Sequence, residues 1–154
     1  MADPKEVSHI STNETHAEAS EKSFKLEIVT PQKSAFSGYV ESFSAPGTEG
    51  GFQVLHDHAP FLTTISIGEV KLRYADDNEV VYSTSGGFVE VSNNNVTFLA
   101  DTIEVKDEID VQRAKAARLR AEERLRKREA GINIERARAS LARAINRLRI
   151  TDAL

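Results

Sequence analysis

The segment EIDVQRAKAARLR, residues 108–120, lies where the hydrophobic spacing of the chain changes from strand-like to helical. Before it, apolar residues occur in short alternating runs; from Val111 onward they recur every three or four residues. The segment therefore predicts a boundary between a β unit and an α unit. Its arginines also raise the question of what this helix binds: a neighbouring helix, an acidic protein surface, or the phosphates of a nucleotide.

After this boundary, two apolar stripes with helical spacing follow each other. They consist of Val111, Ala114, Ala117, Ala121 and Leu125, and of Ile134, Ala137, Leu141, Ala144 or Ile145, and Leu148. Between the stripes, Gly131 is suited to end the first helix in a left-handed conformation, and Asn133 is suited to cap the second. Residues 107–150 therefore predict an antiparallel helical hairpin, followed by a short C-terminal tail at 151–154.

Before the boundary, residues 24–106 contain short runs of β-branched and aromatic residues separated by glycine. EVKLRY places Val70, Leu72 and Tyr74 on one face of a strand, and residues 75–78 turn the chain into EVVYSTS. FVEV and VTFLA flank a second turn, SNNN. The pattern predicts an antiparallel β-sandwich or barrel, so the fold class is β + α in two domains.

The first 23 residues are polar and acidic, and they contain no arginine. A transit peptide would be basic, and a secretory signal would carry an apolar core. We interpret residues 1–23 as a disordered acidic tail, with an expression remnant as the alternative. The chain has no cysteine, and its apolar runs are too short to span a bilayer, so the sequence predicts neither disulfide chemistry nor membrane insertion.

Charge is divided unevenly between the two units. Residues 1–109 contain 7 Lys or Arg against 18 Asp or Glu, giving −11, and residues 110–150 contain 13 against 5, giving +8. Such asymmetry indicates two units with different partners, the basic one binding anions or acidic protein. Nucleic acid is not expected, because the hairpin has no aromatic residue on which bases could stack.

Three short motifs resemble chemical sites, but their spacing favours structural roles. His56-Asp57-His58 alternates between opposite faces of an extended segment, so we expect no metal there. The glycine-rich residues 46–51 lack the phosphate-loop pattern and predict a turn. The Ser83–Gly87 segment does not match the nucleophile elbow. The residues therefore show no recognisable catalytic constellation.

Most of the hairpin arginines fit a solvated, ion-paired helix face. Arg143 and Arg147 fit this explanation less well, because they are neighbours of like charge at i and i+4 beside the apolar stripe. If unpaired, they repel each other. An external anion would relieve that repulsion.

Taken together, these segments resemble the epsilon subunit of the bacterial F1Fo ATP synthase. The resemblance is carried by PGTEGGFQVLHDHAPFLTTISIGEVKLR, by SGGFVEVSNNNVTFLAD and by IDVQRA, in the order and spacing of that family. It covers residue 24 to about residue 150. The acidic tail departs from the usual pattern of the family.

The resemblance implies a non-catalytic subunit of the rotary central stalk, peripheral on the cytoplasmic side of the bacterial inner membrane. The sandwich would bind the gamma subunit and the ring of c subunits, with the Glu49–Gly51 turn and the His56–His58 loop facing the ring. The hairpin would permit ATP hydrolysis when it is folded onto the sandwich. When extended into the alpha and beta subunits, it would meet an acidic segment of beta and block hydrolysis.

Some members of this family bind ATP on the folded hairpin through the motif I/L-D-x-x-R-A. Here the motif is complete in residues 109–114. The resemblance therefore implies a regulatory ATP site, and no metal, formed by Glu104, Ile109, Asp110, Arg113, Ala114, Arg120, Arg143 and Arg147. Arginines can bind a polyphosphate because their charge persists at any relevant pH.

Two other functions remain open at this point. The motif also occurs in members that bind ATP feebly, and on this alternative Asp110 and Arg113 of this chain would simply form a helix ion pair. The chain would then be a purely structural coupling subunit whose hairpin does not switch. The third hypothesis is that the chain is an unrelated regulator that senses a nucleotide.

Overall fold

The computed structural model describes residues 19–154. In this range the chain forms ten strands, a short 3-10 turn at residues 106–108, and two helices. The strands are β1 (Phe24–Val29), β2 (Ser34–Val40), β3 (Ser42–Gly47), β4 (Gly50–Val54), β5 (Phe61–Ile65), β6 (Gly68–Arg73), β7 (Glu79–Thr84), β8 (Gly87–Ser92), β9 (Asn95–Ala100) and β10 (Ile103–Val105). The helices are α1 (Val111–Lys127) and α2 (Ile134–Ile150). The predicted β + α architecture is confirmed.

The strands pair in the order β10-β7-β6-β3-β5-β8-β9-β1-β2, with β4 paired to β3. Strand β3 joins the two halves, because its first residues pair with β6 and its last residue, Gly47, pairs with Ile65 of β5. The predicted hairpins are present: β6 pairs with β7, and β8 pairs with β9. Asn93 and Asn94 form the second turn with positive φ angles of 49° and 58°, as a two-residue hairpin turn requires.

One pair of strands departs from the antiparallel expectation. Strands β1 and β9 are parallel, with Leu26 opposite Val96 and Ile28 opposite Phe98. Adjacent parallel strands need a long connection. In sequence, β2 to β8 separate β1 from β9, and this long connection allows β1 to pair in parallel with β9.

The core follows from strand alternation. Val70, Leu72 and Tyr74 are buried as predicted, while Lys71 on the same strand is exposed. Phe43 packs edge-on against Phe98 at a ring-centroid distance of 6.0 Å. Buried hydrophobic residues of β1 to β6 and of β8 to β10 make up this cluster.

The predicted acidic tail is described only from residue 19 onward, and residues 1–18 lie outside the described residues. Ser20 donates a hydrogen bond from Oγ to Oε1 of Glu41 at 2.7 Å. Ser23 is buried and donates to the carbonyl of Ser20. These last residues assigned to the tail therefore contact the sandwich.

The helical hairpin begins and ends close to the predicted residues, with one correction at the end of α1. Arg128, with φ 46°, takes the left-handed conformation that was expected at Gly131, and its N–H donates to the carbonyl of Arg124. Gly131 also has positive φ but lies in the connecting turn. Asn133 caps α2 as predicted, because its side chain accepts from the N–H of Arg136 at 2.9 Å.

A matched pair of substitutions tests the core assignment. Phe98 is fully buried, whereas Phe88, on the neighbouring strand, is 56% exposed. We expect Phe98→Ala to lower the free energy of unfolding by about 3–5 kcal/mol, because it removes a core ring and leaves a cavity. Phe88→Ala should cost less than about 1 kcal/mol. Urea unfolding of both variants measures the difference, and equal losses would contradict the assignment.

Candidate functional site

A cleft of about 350 Å³ lies where the two helices meet the end of the sandwich. Its walls come from the β10 region, from one face of α1 and from one face of α2. We name it the arginine cleft; it is lined by Glu104, Glu108, Asp110, Arg113, Ala114, Ala117, Arg120, Ser140, Arg143, Ala144 and Arg147. Its volume is in the range of small-molecule sites.

Helical spacing brings the arginines together. Arg113 and Arg120 are seven residues apart on α1, and Arg143 and Arg147 are four apart on α2, so each pair lies on one face of its helix. Seven of the eight residues expected from the sequence line the cleft. The eighth, Ile109, is buried immediately before α1.

Asp110 has a defined structural role at the start of α1. It is the N-cap residue, and its Oδ1 accepts a hydrogen bond from the backbone N–H of Arg113 at 2.9 Å. A side-chain cap of this kind satisfies one of the free N–H groups of the first turn. Asp110 thus contacts Arg113 through the backbone, not through the ion pair considered from the sequence.

Glu104 of β10 and Arg147 of α2 form the closest charged contact in the cleft. Arg147 donates from Nε to Oε2 of Glu104 at 2.6 Å, and both side chains are partly buried. Glu104 therefore supplies Arg147 with a counter-charge, which relieves the repulsion expected if Arg143 and Arg147 were both unpaired. The acidic partner was not apparent from the helix because it comes from a strand 43 residues earlier in the chain.

Three arginines of the cleft remain without a carboxylate partner in residues 19–154. Arg113 and Arg120 form no ion pair there, and Arg143 donates from Nη2 to the hydroxyl of Ser140 at 3.1 Å. Guanidinium groups stay charged at all relevant pH values and form bidentate contacts with phosphate or carboxylate. The cleft therefore offers an anion three cationic side chains from two helices.

Small residues form the inner surface of the cleft. Ala114 of α1 and Ala144 of α2 are buried and line the cleft beside the arginines. Ala117, Ser140, Ala144 and Glu108 were not assigned to a site from the sequence. Helical spacing could have indicated the first three, since each lies three or four residues from an assigned arginine.

Two tyrosines lie on the sandwich near the hairpin. Burial raises the pKa of Tyr82 on β7 well above its usual value, and the nearby Glu108 carboxylate raises it further. Burial also raises the pKa of Tyr74. Both phenols are therefore protonated at neutral pH and provide no phenolate base.

The other motifs have local structural contacts. His56 Nδ1 lies 3.4 Å from Asp57 Oδ2, and His58 Nδ1 contacts the carbonyl of Ala59. Within residues 19–154 there is no cluster of three or more potential metal ligands from His, Cys, Asp and Glu. The glycine-rich residues 46–51 form the predicted turn, between β3 and β4. No helix in the described range is long and apolar enough to cross a membrane.

Comparison with known proteins agrees with this architecture. Residues 23–106 match the beta-sandwich domain of the ATP synthase delta/epsilon chain, and residues 107–152 match its long alpha-helix domain. Among bacterial relatives, the ATP synthase epsilon chain of Pelotomaculum thermopropionicum is 50% identical, with 71% of this chain and 81% of the relative covered. The epsilon chain of Desulforamulus reducens is 42% identical, with 73% and 85% covered.

A solved structure of the Euglena gracilis mitochondrial ATP synthase contains a chain with the same fold. The TM-score is 0.64 at 17% identity, and 99% of this chain and 88% of that chain are covered. At this identity the likeness concerns the fold alone. The two domain matches, in order and along most of the chain, establish that it belongs to the ATP synthase delta/epsilon chain family.

Proposed function

We propose that this chain is a non-catalytic central-stalk subunit of a bacterial F1Fo ATP synthase, and that ATP binds the arginine cleft to stabilise the hairpin on the sandwich. With the hairpin folded, ATP hydrolysis proceeds. With the hairpin extended into the alpha and beta subunits, hydrolysis is inhibited. The observation that carries the proposal is the convergence of Arg113, Arg120, Arg143 and Arg147 on one cleft.

The cleft chemistry fits a nucleoside triphosphate. Arg113, Arg120 and Arg143 carry positive charge without a carboxylate partner in the described part of the chain. The phosphates of ATP supply the compensating negative charge, and guanidinium groups bind them through charge-assisted hydrogen bonds. Glu104 holds Arg147 in position, as its 2.6 Å contact indicates. The second carboxylate oxygen of Asp110 remains available to accept a hydrogen bond from the nucleoside.

The composition of the cleft explains how ligand binding would control the hairpin. Glu104 belongs to the sandwich, whereas the arginines belong to α1 and α2. The complete site therefore exists only when the hairpin lies on the sandwich. A ligand that binds one state stabilises it by RT ln(1 + [L]/Kd), or about 2.7 kcal/mol at a hundred times Kd. If the folded and extended hairpins are similarly populated without ligand, a shift of that size would make the folded state predominate.

The proposed partners follow from family membership and from the surface. The sandwich would bind the gamma subunit and the c-subunit ring, and the chain, as part of the complex, would lie peripherally on the cytoplasmic side of the bacterial inner membrane. The Glu49–Gly51 turn and His56, proposed to face the ring, are exposed. The +8 charge of residues 110–150 is complementary to the acidic segment proposed for the beta subunit. Such charge complementarity would speed association of the hairpin with beta and fix the register of their contact.

One observation favours a second candidate function. Asp110 is an N-cap, and Glu104 neutralises Arg147, so two residues of the site have structural roles without any ligand. In that case the chain would be a structural coupling subunit, and its cleft would not bind ATP. Binding experiments separate the two functions.

Substitution of the cleft arginines tests ATP binding. Arg113→Ala and Arg143→Ala should each remove a charge-assisted contact, which is typically worth about 1.5–3 kcal/mol. We expect each to weaken ATP binding roughly ten- to a hundredfold, measured by calorimetry on the full chain. The double variant Arg143→Ala, Arg147→Ala should weaken it further. The single variants are the more direct test, because loss of Arg147 also leaves Glu104 without its partner.

Arg126→Ala is the matched control for these variants. Arg126 lies on α1, outside the cleft, and its side chain is 76% exposed. It is a better control than Arg128, which is the C-cap residue of α1, so that a substitution there also changes the end of the helix. Arg126→Ala should bind ATP like the wild type. The proposal is wrong if the wild-type chain gives no binding heat at millimolar ATP, or if all variants bind alike.

The purified chain should not hydrolyse ATP. Of the three carboxylates in the cleft, Glu104 is paired with Arg147 and Asp110 caps α1, and the third, Glu108, has no histidine or hydroxyl nucleophile arranged with it as a catalytic set. Phosphate release from the wild-type chain and from Arg113→Ala should both equal the buffer background. Turnover by the wild-type chain that is lost in Arg113→Ala would contradict a non-catalytic role.

Removal of residues 107–154 tests the inhibitory role of the hairpin. In the reconstituted ATP synthase, the truncated chain should retain binding to the gamma subunit through the sandwich, and ATP hydrolysis should rise. The full-length Arg126→Ala chain serves as the control. Unchanged hydrolysis with the truncated chain would favour the structural coupling function.

A further inference from the structure

Asn146 is an unexpected residue on the buried face of α2. It is only 4% exposed, and the neighbouring buried positions of the helix are Ala144, Leu148 and Ile150. A buried amide is unfavourable unless it is hydrogen-bonded. Its environment therefore indicates a specific polar contact between the helix and the sandwich.

The NH2 group of the amide makes that contact, and the amide oxygen bonds within α2. Nδ2 of Asn146 donates to the carbonyl of Gly68 at 2.8 Å and to Oγ of Ser83 at 2.9 Å. Oδ1 accepts from Nη2 of Arg149 at 3.2 Å. Gly68 begins β6 and Ser83 lies on β7, so one side chain of α2 contacts two adjacent strands.

These strands are the part of the sandwich on which the hairpin rests. Helix α2 packs against both β6 and β7. The buried alanines of the helix contribute little directional specificity, because apolar packing tolerates small displacements. The two hydrogen bonds from Asn146 tolerate much smaller displacements of α2, because the strength of a hydrogen bond falls steeply as its distance and angle depart from the optimum. Displacement of α2 by one residue would break both.

The remaining polar contacts between hairpin and sandwich are more exposed. Lys106 contacts Asp152 at 2.6 Å, with both side chains at least half exposed, and Glu104 contacts Arg147. Exposed pairs contribute little and are screened by salt. Asn146, in contrast, is shielded from water.

We propose that Asn146 is a positioning residue that fixes α2 in register on β6 and β7. Through this contact it holds Arg143 and Arg147 of the same helix beside Glu104. When the hairpin leaves the sandwich, Asn146, Ser83 and the Gly68 carbonyl exchange their mutual hydrogen bonds for water, so the contact is specific without making release irreversible. The inference concerns the folded hairpin itself and does not require ATP to bind.

Native-state hydrogen exchange on the full chain, without nucleotide, tests this role. Amides of α1 and α2 report on local opening of the hairpin, and amides of β8 and β9 report on the sandwich. We expect Asn146→Ala to speed exchange of the hairpin amides about tenfold, equivalent to about 1.4 kcal/mol. The sandwich amides should exchange at wild-type rates. Asn95→Ala, at an exposed asparagine of β9, is the matched control and should leave the hairpin unchanged.

Asn146→Leu separates hydrogen bonding from packing. It retains most of the side-chain volume but leaves Ser83 and the Gly68 carbonyl without their donor, so it should open the hairpin at least as much as Asn146→Ala. Wild-type exchange in Asn146→Leu would overturn the proposal, because packing alone would then explain the position. Unchanged exchange in Asn146→Ala, or equal acceleration in hairpin and sandwich, would also overturn it.

Ser83→Ala provides a milder test that does not depend on substitution of the helix. It removes one of the two acceptors, so hairpin exchange should rise by less than in Asn146→Ala. The double variant should show less than the product of the two single effects, because both disrupt the same hydrogen bond. If the two substitutions instead increase hairpin exchange by independent factors that multiply, a direct contact between Asn146 and Ser83 is contradicted. Failure of the wild-type chain to bind ATP would contradict the proposed function and leave this exchange result unaffected.

Discussion

The packing of α2 against β6 and β7 is the contact on which the arginine cleft depends. Strand β10 supplies Glu104, and the two helices supply the arginines, so the cleft is complete only while α2 stays in place. Local sequence accounts for each wall separately: Asp110 caps α1, Asn133 caps α2, and helical spacing aligns the arginines. None of these local features brings the walls together. That step requires the contact between the domains, where Asn146 and Glu104 meet their partners.

Much of the fold could be predicted because it follows from short-range patterns. Period-two alternation identified Val70, Leu72 and Tyr74 as core residues, and period-3.6 spacing identified both helices. The asparagine cap at residue 133 was predicted because capping depends on a few adjacent residues. The grouping of the cleft residues came from the family resemblance and is consistent with the geometry. The binding of ATP by them stays a prediction.

The features that were missed depend on contacts distant in sequence or on competition between similar residues. Strand β1 pairs in parallel with β9, across a separation that no local pattern reports. The pairing of Glu104 with Arg147 spans 43 residues, and only the family resemblance placed these two residues in one site. Asn146 lies outside the predicted apolar stripe, and its role is apparent only once Gly68 and Ser83 are seen opposite it. At the end of α1, glycine was the obvious left-handed residue, but the helix ends three residues earlier at an arginine. Helix ends are set by small energy differences, so they are predicted less well than helix faces.

The central claim is that a nucleotide stabilises the hairpin on the sandwich. Hydrogen exchange of the wild-type chain with and without ATP tests it most directly, because it measures the folded hairpin and its ligand in one experiment. At ATP a hundred times above Kd, the account predicts that amides of α1 and α2 that exchange through hairpin opening slow by about a hundredfold, corresponding to about 2.7 kcal/mol. Amides of β8 and β9 should not change. Equal hairpin exchange with and without millimolar ATP, or faster exchange with it, would contradict the account.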